Sequence, residues 1–350
     1  VGDLAAAEEI KALKDLMLSY GDVNLECRQD GAKVGDGPRQ SWLFNTTIAG
    51  VESADAILLI GANPRWEAPV LNARIRKAWT NGPVKIANIG TPVDLTYPVE
   101  QLGGADVLSG IADGSHAFAK VLKDAQRPMI IIGSGALARA DGAAILHLAA
   151  KIAGDSGAIG PAGTPAEGGW VGFNVLHTAA SRVGALDLGF VKGQDMAGIL
   201  GGGMEFVWLL GADEFDMAKL GNAFVVYQGT HGDAGAHRAD VILPGAAYTE
   251  KEGLYVNFEG RVQRTKRAVF PPGEAKEDWA IIRAYSQVAG KTLPYDDRDA
   301  LHQAMYKDAL TFKDMHEAPA HMGADPAVWG AIGKAGAIDG KAPLECAIRD

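Results

Sequence analysis

The 350-residue chain has 33 Lys and Arg against 43 Asp and Glu, a net charge of -10, and 47% hydrophobic residues, which allows two domains that each bury a core. No apolar run approaches the roughly 18 residues that cross a bilayer, so no direct membrane span is expected. No basic cluster supplies the phosphate footprint of a nucleic-acid partner. Cys27 and Cys346 stand far apart, with no CxxC or Cys/His spacing for zinc or an iron–sulfur cluster. So few thiols fit a reducing compartment. The chain opens at Val1 and enters a helix at once, which reads as part of a longer protein.

Leu4, Ile10, Leu13 and Met17 fall on one helix face, with Asp3 as candidate N-cap and Gly21 just past the end. Residues 22–44 are polar and glycine-rich, a loop that rejoins the domain near Trp42 and Phe44. The apolar run AILLI from Ala56 spells a buried parallel strand. Gly61, Asn63 and Pro64 end it, and a helix over 67–79 should turn Val70, Leu71, Ile75 and Trp79 inward. A strand over 84–89 completes a βαβ unit, whose crossover should be right-handed. The pattern recurs as a helix from Ser115 to about Ala125, a strand over 128–132 ending at Gly133, and a helix over 140–153 containing His147.

Residues 154–169, GDSGAIGPAGTPAEGG, are too rich in Gly, Ala and Pro to sustain helix or strand. A helix over 171–183 is expected next, followed by strands over 206–210, 223–227 and 240–243. The last of these, ADVILPG, reads as a short buried strand stopped by Pro244 and Gly245. A hairpin over 255–258 and 262–265 turns at Glu259 and Gly260, and a helix over 275–289 presents Trp279, Ile282 and Val288. The expected fold class is α/β, two Rossmann-like domains with mostly parallel sheets over 1–125 and 126–293, and a peripheral tail over 294–350.

Ligands of open α/β sheets sit beyond the carboxyl ends of strands, so the loops there are the candidates. Gly133, Gly135 and Ala138 match GxGxxA between a strand and a helix, a pattern that receives a pyrophosphate on backbone N–H groups. The acidic residue of a second strand that completes a dinucleotide fingerprint is missing, which leaves an NAD site as an alternative only. Gly61, Asn63 and Arg65 form a loop suited either to a phosphate or to a plain helix start. His231 and Asp233, with His237 and Arg238 behind, suggest an acid–base pair, but sequence neighbours seldom share the geometry of a dyad. Asp213, Glu214 and Asp216 crowd a strand end without a separated third ligand, as a solvated turn does. Beyond Pro244, Glu250, Lys251, Glu252, Asn257, Glu259 and Arg261 collect among glycines. No constellation makes a complete catalytic centre, and no metal site is expected.

The stretches NTTIAGVESAD, AILLIGANPRWEAPVLNARIRKAW, IGTPVDLTYP, ADVILPGAAYTEKEG, NFEGRVQ and PPGEAKEDWAIIRAYSQVAG resemble the large iron–sulfur subunit of respiratory complex I, the NADH:quinone oxidoreductase. Within the wider molybdopterin oxidoreductase superfamily, the LIGxNP and ADVxLP strand ends resemble the α/β domains that grip the pterin. The resemblance implies a molybdopterin oxidoreductase type of fold in a branch without molybdenum. The [2Fe-2S] and [4Fe-4S] clusters would lie in a cysteine-rich N-terminal iron–sulfur region outside this chain, leaving no cofactor here. It implies a scaffold that partners that region and other peripheral-arm subunits, on the cytoplasmic side of the bacterial inner membrane or the matrix side of the mitochondrial one. Gly61, Asn63, Gly133, Gly135, His231, Glu250, Asn257 and Arg261 would then be the rim of a vestigial cleft. The alternative is an oxidoreductase fragment that retains a molybdopterin guanine dinucleotide.

Overall fold

The run Ala56–Ile60 forms strand β1, with all five side chains buried. A strand covered on both faces has no polar side to show, hence the unbroken apolar run. In the computed structural model, which describes residues 1–161, 168–317 and 326–348, β1 lies between two parallel neighbours. Leu58 is level with Ala87 of β2 (Lys85–Ile89) on one side and Ile130 of β4 (Pro128–Gly133) on the other. With β3 (Glu100–Gly103) and β5 (Phe173–Leu176) the sheet reads β3-β2-β1-β4-β5, parallel throughout.

Pro69 starts the helix Pro69–Asn81, where its fixed φ and missing N–H cost nothing. The helix buries Leu71, Ile75 and Ala78, while Val70 faces solvent at 73% exposure, contrary to its expected inward place. Helix Gly142–Asp155 buries Ile145, Ala149 and Ile152. The stretch read as a helix over 171–183 is instead β5 followed by the helix Arg182–Asp187. Tertiary pairing overrides local propensity there. Asn174 Nδ2 donates to Thr46 Oγ1 at 2.8 Å and Asn174 Oδ1 accepts from Thr46 N at 2.8 Å, while Asn45 Nδ2 donates to the carbonyls of Gln40, Leu43 and Phe173. The glycine-rich excursion over 154–169 is described at its flanks, where Ile159 pairs with Val171; residues 162–167 lie outside the described residues.

This five-stranded unit comprises Ala32–Thr178, Phe258–Gly260 and the described residues after 318. A boundary at residue 125 would fall between β1 and its neighbour β4. The second unit comprises Val1–Gly31, Ala179–Asn257 and Arg261–Glu317. Its sheet, β6 (Phe206–Leu210), β7 (Phe224–Gly229) and β8 (Val241–Pro244), is parallel in that order. Its core gathers Leu209, Leu220, Ala223, Val225 and Tyr227. Strand β8, expected to be buried, is an edge strand, with Val241 39% and Ile242 55% exposed. An edge position also accommodates Pro244, which cannot donate to a ladder.

The expected hairpin is present as β9 (Gly253–Val256) and β10 (Val262–Thr265), antiparallel with Val256 opposite Val262. Helix Ala7–Leu18 buries Ile10, Leu13 and Leu16 against helices Asp278–Val288 and Arg298–Asp308. Leu4, outside the helix, and Val288 are exposed, contrary to their expected inward faces. The stretch expected at the periphery supplies the buried Leu301, Met305, Phe312 and Leu344.

Candidate functional site

The sheet order makes the chain leave β1 toward β2 on one side and place β4 on the other, so the topological switch point lies at the carboxyl ends of β1 and β4. Open α/β sheets bind ligands there because the loops part in opposite directions. Four expected rim residues meet at this point. Gly61 follows β1 with φ of 54°, a left-handed conformation that favours glycine. Gly133 ends β4, and a Cβ on it would lie 2.0 Å from the Gly61 carbonyl oxygen. Asn63 heads the short helix after β1, and Gly135 lies in the short helix after β4. Asn63 Oδ1 and Ser134 Oγ are buried with no hydrogen-bond partner among the described residues.

A segment of the chain itself runs across these strand ends. A Cβ on Gly90, just beyond β2, would lie 2.5 Å from the Leu344 oxygen; one on Gly61 would lie 3.2 Å from the Glu345 oxygen. One on Gly135, beyond β4, would meet Glu345 O at 2.5 Å, Cys346 C at 2.7 Å and Ala347 N at 2.8 Å. The segment therefore crosses β2, β1 and β4 in spatial order. Thr91 N donates to Leu344 O at 2.9 Å, and Ala347 N donates to Glu67 Oε1 at 2.7 Å. Upstream, Arg139 donates to the carbonyls of Asp339, Ala342 and Pro343 at 2.6–2.8 Å while forming a two-pronged pair with Asp141. The hydrogen bonds from Arg139 hold the Asp141 carboxyl below its ordinary range. Asp141 in turn accepts from Asp339 N at 2.8 Å.

The strand ends of the three-stranded sheet have a different character. His231 and Glu250 line a cavity of about 390 Å³ with Gly229, Pro244, Gly245 and Ala275. His231 is exposed and its Nδ1 lies 2.8 Å from Thr230 Oγ1; Glu250 accepts from Ala247 N at 2.9 Å within its own turn. Asn257 and Arg261 instead close the loop between β9 and β10: Arg261 N donates to Asn257 Oδ1 at 2.9 Å and Asn257 N to Arg261 O at 3.0 Å. The Arg261 guanidinium also donates to His316 O. Glu259 accepts from Ile48 N at 2.8 Å in the five-stranded unit.

Sequence reading missed the charged group beneath the second cavity. Lys251 Nζ donates to Glu9 Oε2 at 2.7 Å and Asp278 Oδ2 at 2.6 Å, and the three residues are 3–6% exposed. Gln228 Nε2, at the end of β7, donates to Asp278 Oδ1 at 2.9 Å. A Cβ on Gly245 would lie 2.2 Å from the same oxygen, which explains the glycine after Pro244. Burial and the Asp278 charge push the Glu9 carboxyl up to about 8, since one lysine cannot neutralise both carboxylates. Burial works against the Lys251 charge, yet Glu9 and Asp278 outweigh it and raise its pKa. Glu8 accepts from Leu254 N at 2.9 Å and lies 2.8 Å from His302 Nε2. The signal in the sequence was two adjacent acids, Glu8 and Glu9, in the first turn of helix Ala7–Leu18, a position that the helix dipole explains equally well. Among the described residues no group of three His, Cys, Asp or Glu side chains is placed to hold a metal ion.

A family model described as molybdopterin oxidoreductase matches residues 1–288. The chain belongs to the molybdopterin oxidoreductase family. It is 45% identical over 326 residues to the NADH-ubiquinone oxidoreductase 78 kDa subunit, mitochondrial, of Neurospora crassa, covering 91% of this chain and 43% of that one. Against the same subunit of Candida albicans it is 46% identical over 305 residues, 85% of this chain and 40% of that one. Against NADH dehydrogenase [ubiquinone] iron-sulfur protein 1, mitochondrial, of Solanum tuberosum it is 43% identical over 318 residues, 90% of this chain and 42% of that one. The chain thus spans about two fifths of the length of these relatives. The fold also matches a chain of the formyltransferase/hydrolase complex (FhcABCD) from Methylorubrum extorquens in complex with methylofuran, with TM-score 0.57, 17% identity, and coverage of 82% of this chain and 90% of that one.

The family implies a pterin cofactor, and the switch-point crevice of this chain does not fit one. Asn63 Oδ1 and Ser134 Oγ are buried polar atoms without a hydrogen-bond partner among the described residues. The space decides against it, because the main chain of 344–347 already lies against Gly61, Gly90 and Gly135. No helix among the described residues is long and apolar enough to cross a membrane.

Proposed function

We propose that this chain is a structural region of an NADH:ubiquinone oxidoreductase, complex I, supporting electron transfer from NADH to quinone through [2Fe-2S] and [4Fe-4S] clusters carried elsewhere in the subunit. The observation that carries the reading is the 43–46% identity to complex I subunits along 85–91% of the chain. Several stretches that carry the resemblance have structural work in the fold. Asn45 and Thr46 tie the main chain to β5, Glu259 holds Ile48, and Lys251 pairs with the buried Glu9 and Asp278. The partners are the subunit's own N-terminal iron–sulfur region and other peripheral-arm subunits. The location is the matrix side of the mitochondrial inner membrane or the cytoplasmic side of the bacterial one. Gly61, Asn63, Gly133, Gly135, His231 and Glu250 act as framework around two strand-end clefts, and Asn257 and Arg261 as framework of the β9–β10 loop.

The test is to place Arg261→Ala in the full subunit and measure both the amount of assembled complex and the NADH:ubiquinone turnover per assembled complex. A scaffold lowers the first and leaves the second unchanged; lowered turnover at full assembly sinks the reading. Elemental and pterin analysis of the purified protein adds an independent arm, in which stoichiometric molybdenum or pterin favours the pterin-enzyme alternative. Tight NAD(H) binding abolished by Gly135→Glu would favour an NAD-binding domain instead.

A further inference from the structure

The crevice at the switch point has an occupant, and its grip is almost wholly main-chain. Leu344 O receives the Thr91 N–H, Ala347 N gives its proton to Glu67, and three consecutive or near-consecutive carbonyls receive Arg139. Only one side chain of this stretch is deeply buried, Leu344 at 2% exposure, and its Cγ lies 3.4 Å from where a Gly61 Cβ would be. Three glycines, Gly61 and Gly90 in loops and Gly135 in the short helix after β4, face the same short stretch of chain, although a Gly61 Cβ would meet Ala136 Cβ first, at 2.8 Å. Gly61 and Gly90 need glycine for their positive φ in any case, whereas Gly135 carries no such requirement. Its missing Cβ is accounted for by the passing chain alone.

We propose that residues 339–347 are the resident ligand of this crevice: a peptide site filled in cis, which closes the switch point to a nucleotide-class ligand. The crevice recognises main-chain groups with one apolar anchor, Leu344. The bound stretch offers its carbonyls to Thr91 and Arg139 and one N–H to Glu67. Where this segment lies is independent of the assignment to complex I, and is the same whatever the full protein does.

Hydrogen exchange at the Thr91 and Ala347 amides tests it on the intact chain. Both amides should be protected at least about a hundredfold over a free peptide, as amides in a closed, packed site are. Added GDP, as a nucleoside diphosphate probe, should leave them unchanged. Leu344→Asp should speed both by about tenfold or more, and a synthetic peptide of residues 338–348 with its native leucine should restore the Thr91 protection in trans. Gly135→Val should release the segment in the same way, but the peptide should not restore protection, because the added methyl groups fill the groove. Unprotected amides in the unaltered chain overturn the proposal, and so does a Leu344→Asp chain in which they stay protected or the peptide does not bind. GDP binding to the unaltered chain that perturbs the Thr91 amide also overturns it. The measurement on the unaltered chain decides the matter even if a variant fails to fold.

Discussion

Both sheets end their strands in glycine and polar loops, yet the two strand ends are built oppositely. At β1, β2 and β4 the glycines admit a segment of backbone, and the bonds that hold it involve its N–H and carbonyl groups. At β7 and β8 the glycine admits a side chain, since Gly245 leaves room for Asp278, and a buried lysine and two carboxylates lie beneath an open cavity. The difference teaches that a strand–glycine–polar-loop pattern marks a place where something approaches the backbone closely, and does not say what. In one unit it is main chain; in the other it is a structural ion cluster.

The comparison breaks first at Lys251. Lys251→Met leaves the buried Asp278 carboxylate without its counter-charge, and the loss should be about 3–5 kcal/mol, because an uncompensated buried charge is costly. Chemical denaturation measures it, and a loss under about 1 kcal/mol would show the cluster to be solvated. Asn45→Ala, in the five-stranded unit, takes one donor from the carbonyls of Gln40, Leu43 and Phe173, of which Leu43 O keeps the Val175 N–H, and should cost about 1–3 kcal/mol.

Next comes a pH effect confined to the three-stranded unit. Folded Glu9 keeps its proton to about pH 8, whereas the unfolded carboxyl releases it near 4.5. Folding thus takes up a proton in that window, so the contribution of Glu9 makes stability fall as pH rises from about 4.5 to about 8 and then level off. Glu9→Gln should flatten that decline, seen as Tm against pH; an unchanged slope would place the titration elsewhere. Arg261→Ala should lower stability by about 0.5–1.5 kcal/mol through the loss of its bond to His316 O. Smallest is His231→Ala, at an exposed position whose change should stay within about 0.5 kcal/mol. A larger shift in either direction would give His231 a role beyond its bond to Thr230.

The periodic parts of the sequence carried much of the fold. AILLI, followed by Gly61 and Pro64, was legible as a buried strand, and the hairpin around Glu259 and Gly260 was legible from its turn, although its first strand lies at Gly253–Val256 and not at 255–258. Sequence pattern failed where tertiary partners decide. Residues 173–176 look helical in isolation, but the Asn45, Thr46 and Asn174 bonds place them at the sheet as β5. β8 looks buried from VIL, but sits at a sheet edge because, among the described residues, no further strand pairs with its free side. The glycines of the first crevice were found from their strand-end positions; the occupant was not. A segment recognised through carbonyls and N–H groups leaves no side-chain signature beyond one leucine.

What the sequence determined by itself is the alternation of parallel strands and helices, the loops where those strands end, and the resemblance to complex I subunits. These follow from local periodicity and turn chemistry, which act over a few residues. Only the tertiary structure decided that 344–347 cross three strand ends and that Glu9, Lys251 and Asp278 form one buried cluster. Some of these contacts join residues more than two hundred positions apart, as Ala347 to Glu67 and Lys251 to Glu9 do. Their energy depends on desolvation and close approach, quantities that exist only once the chain has folded.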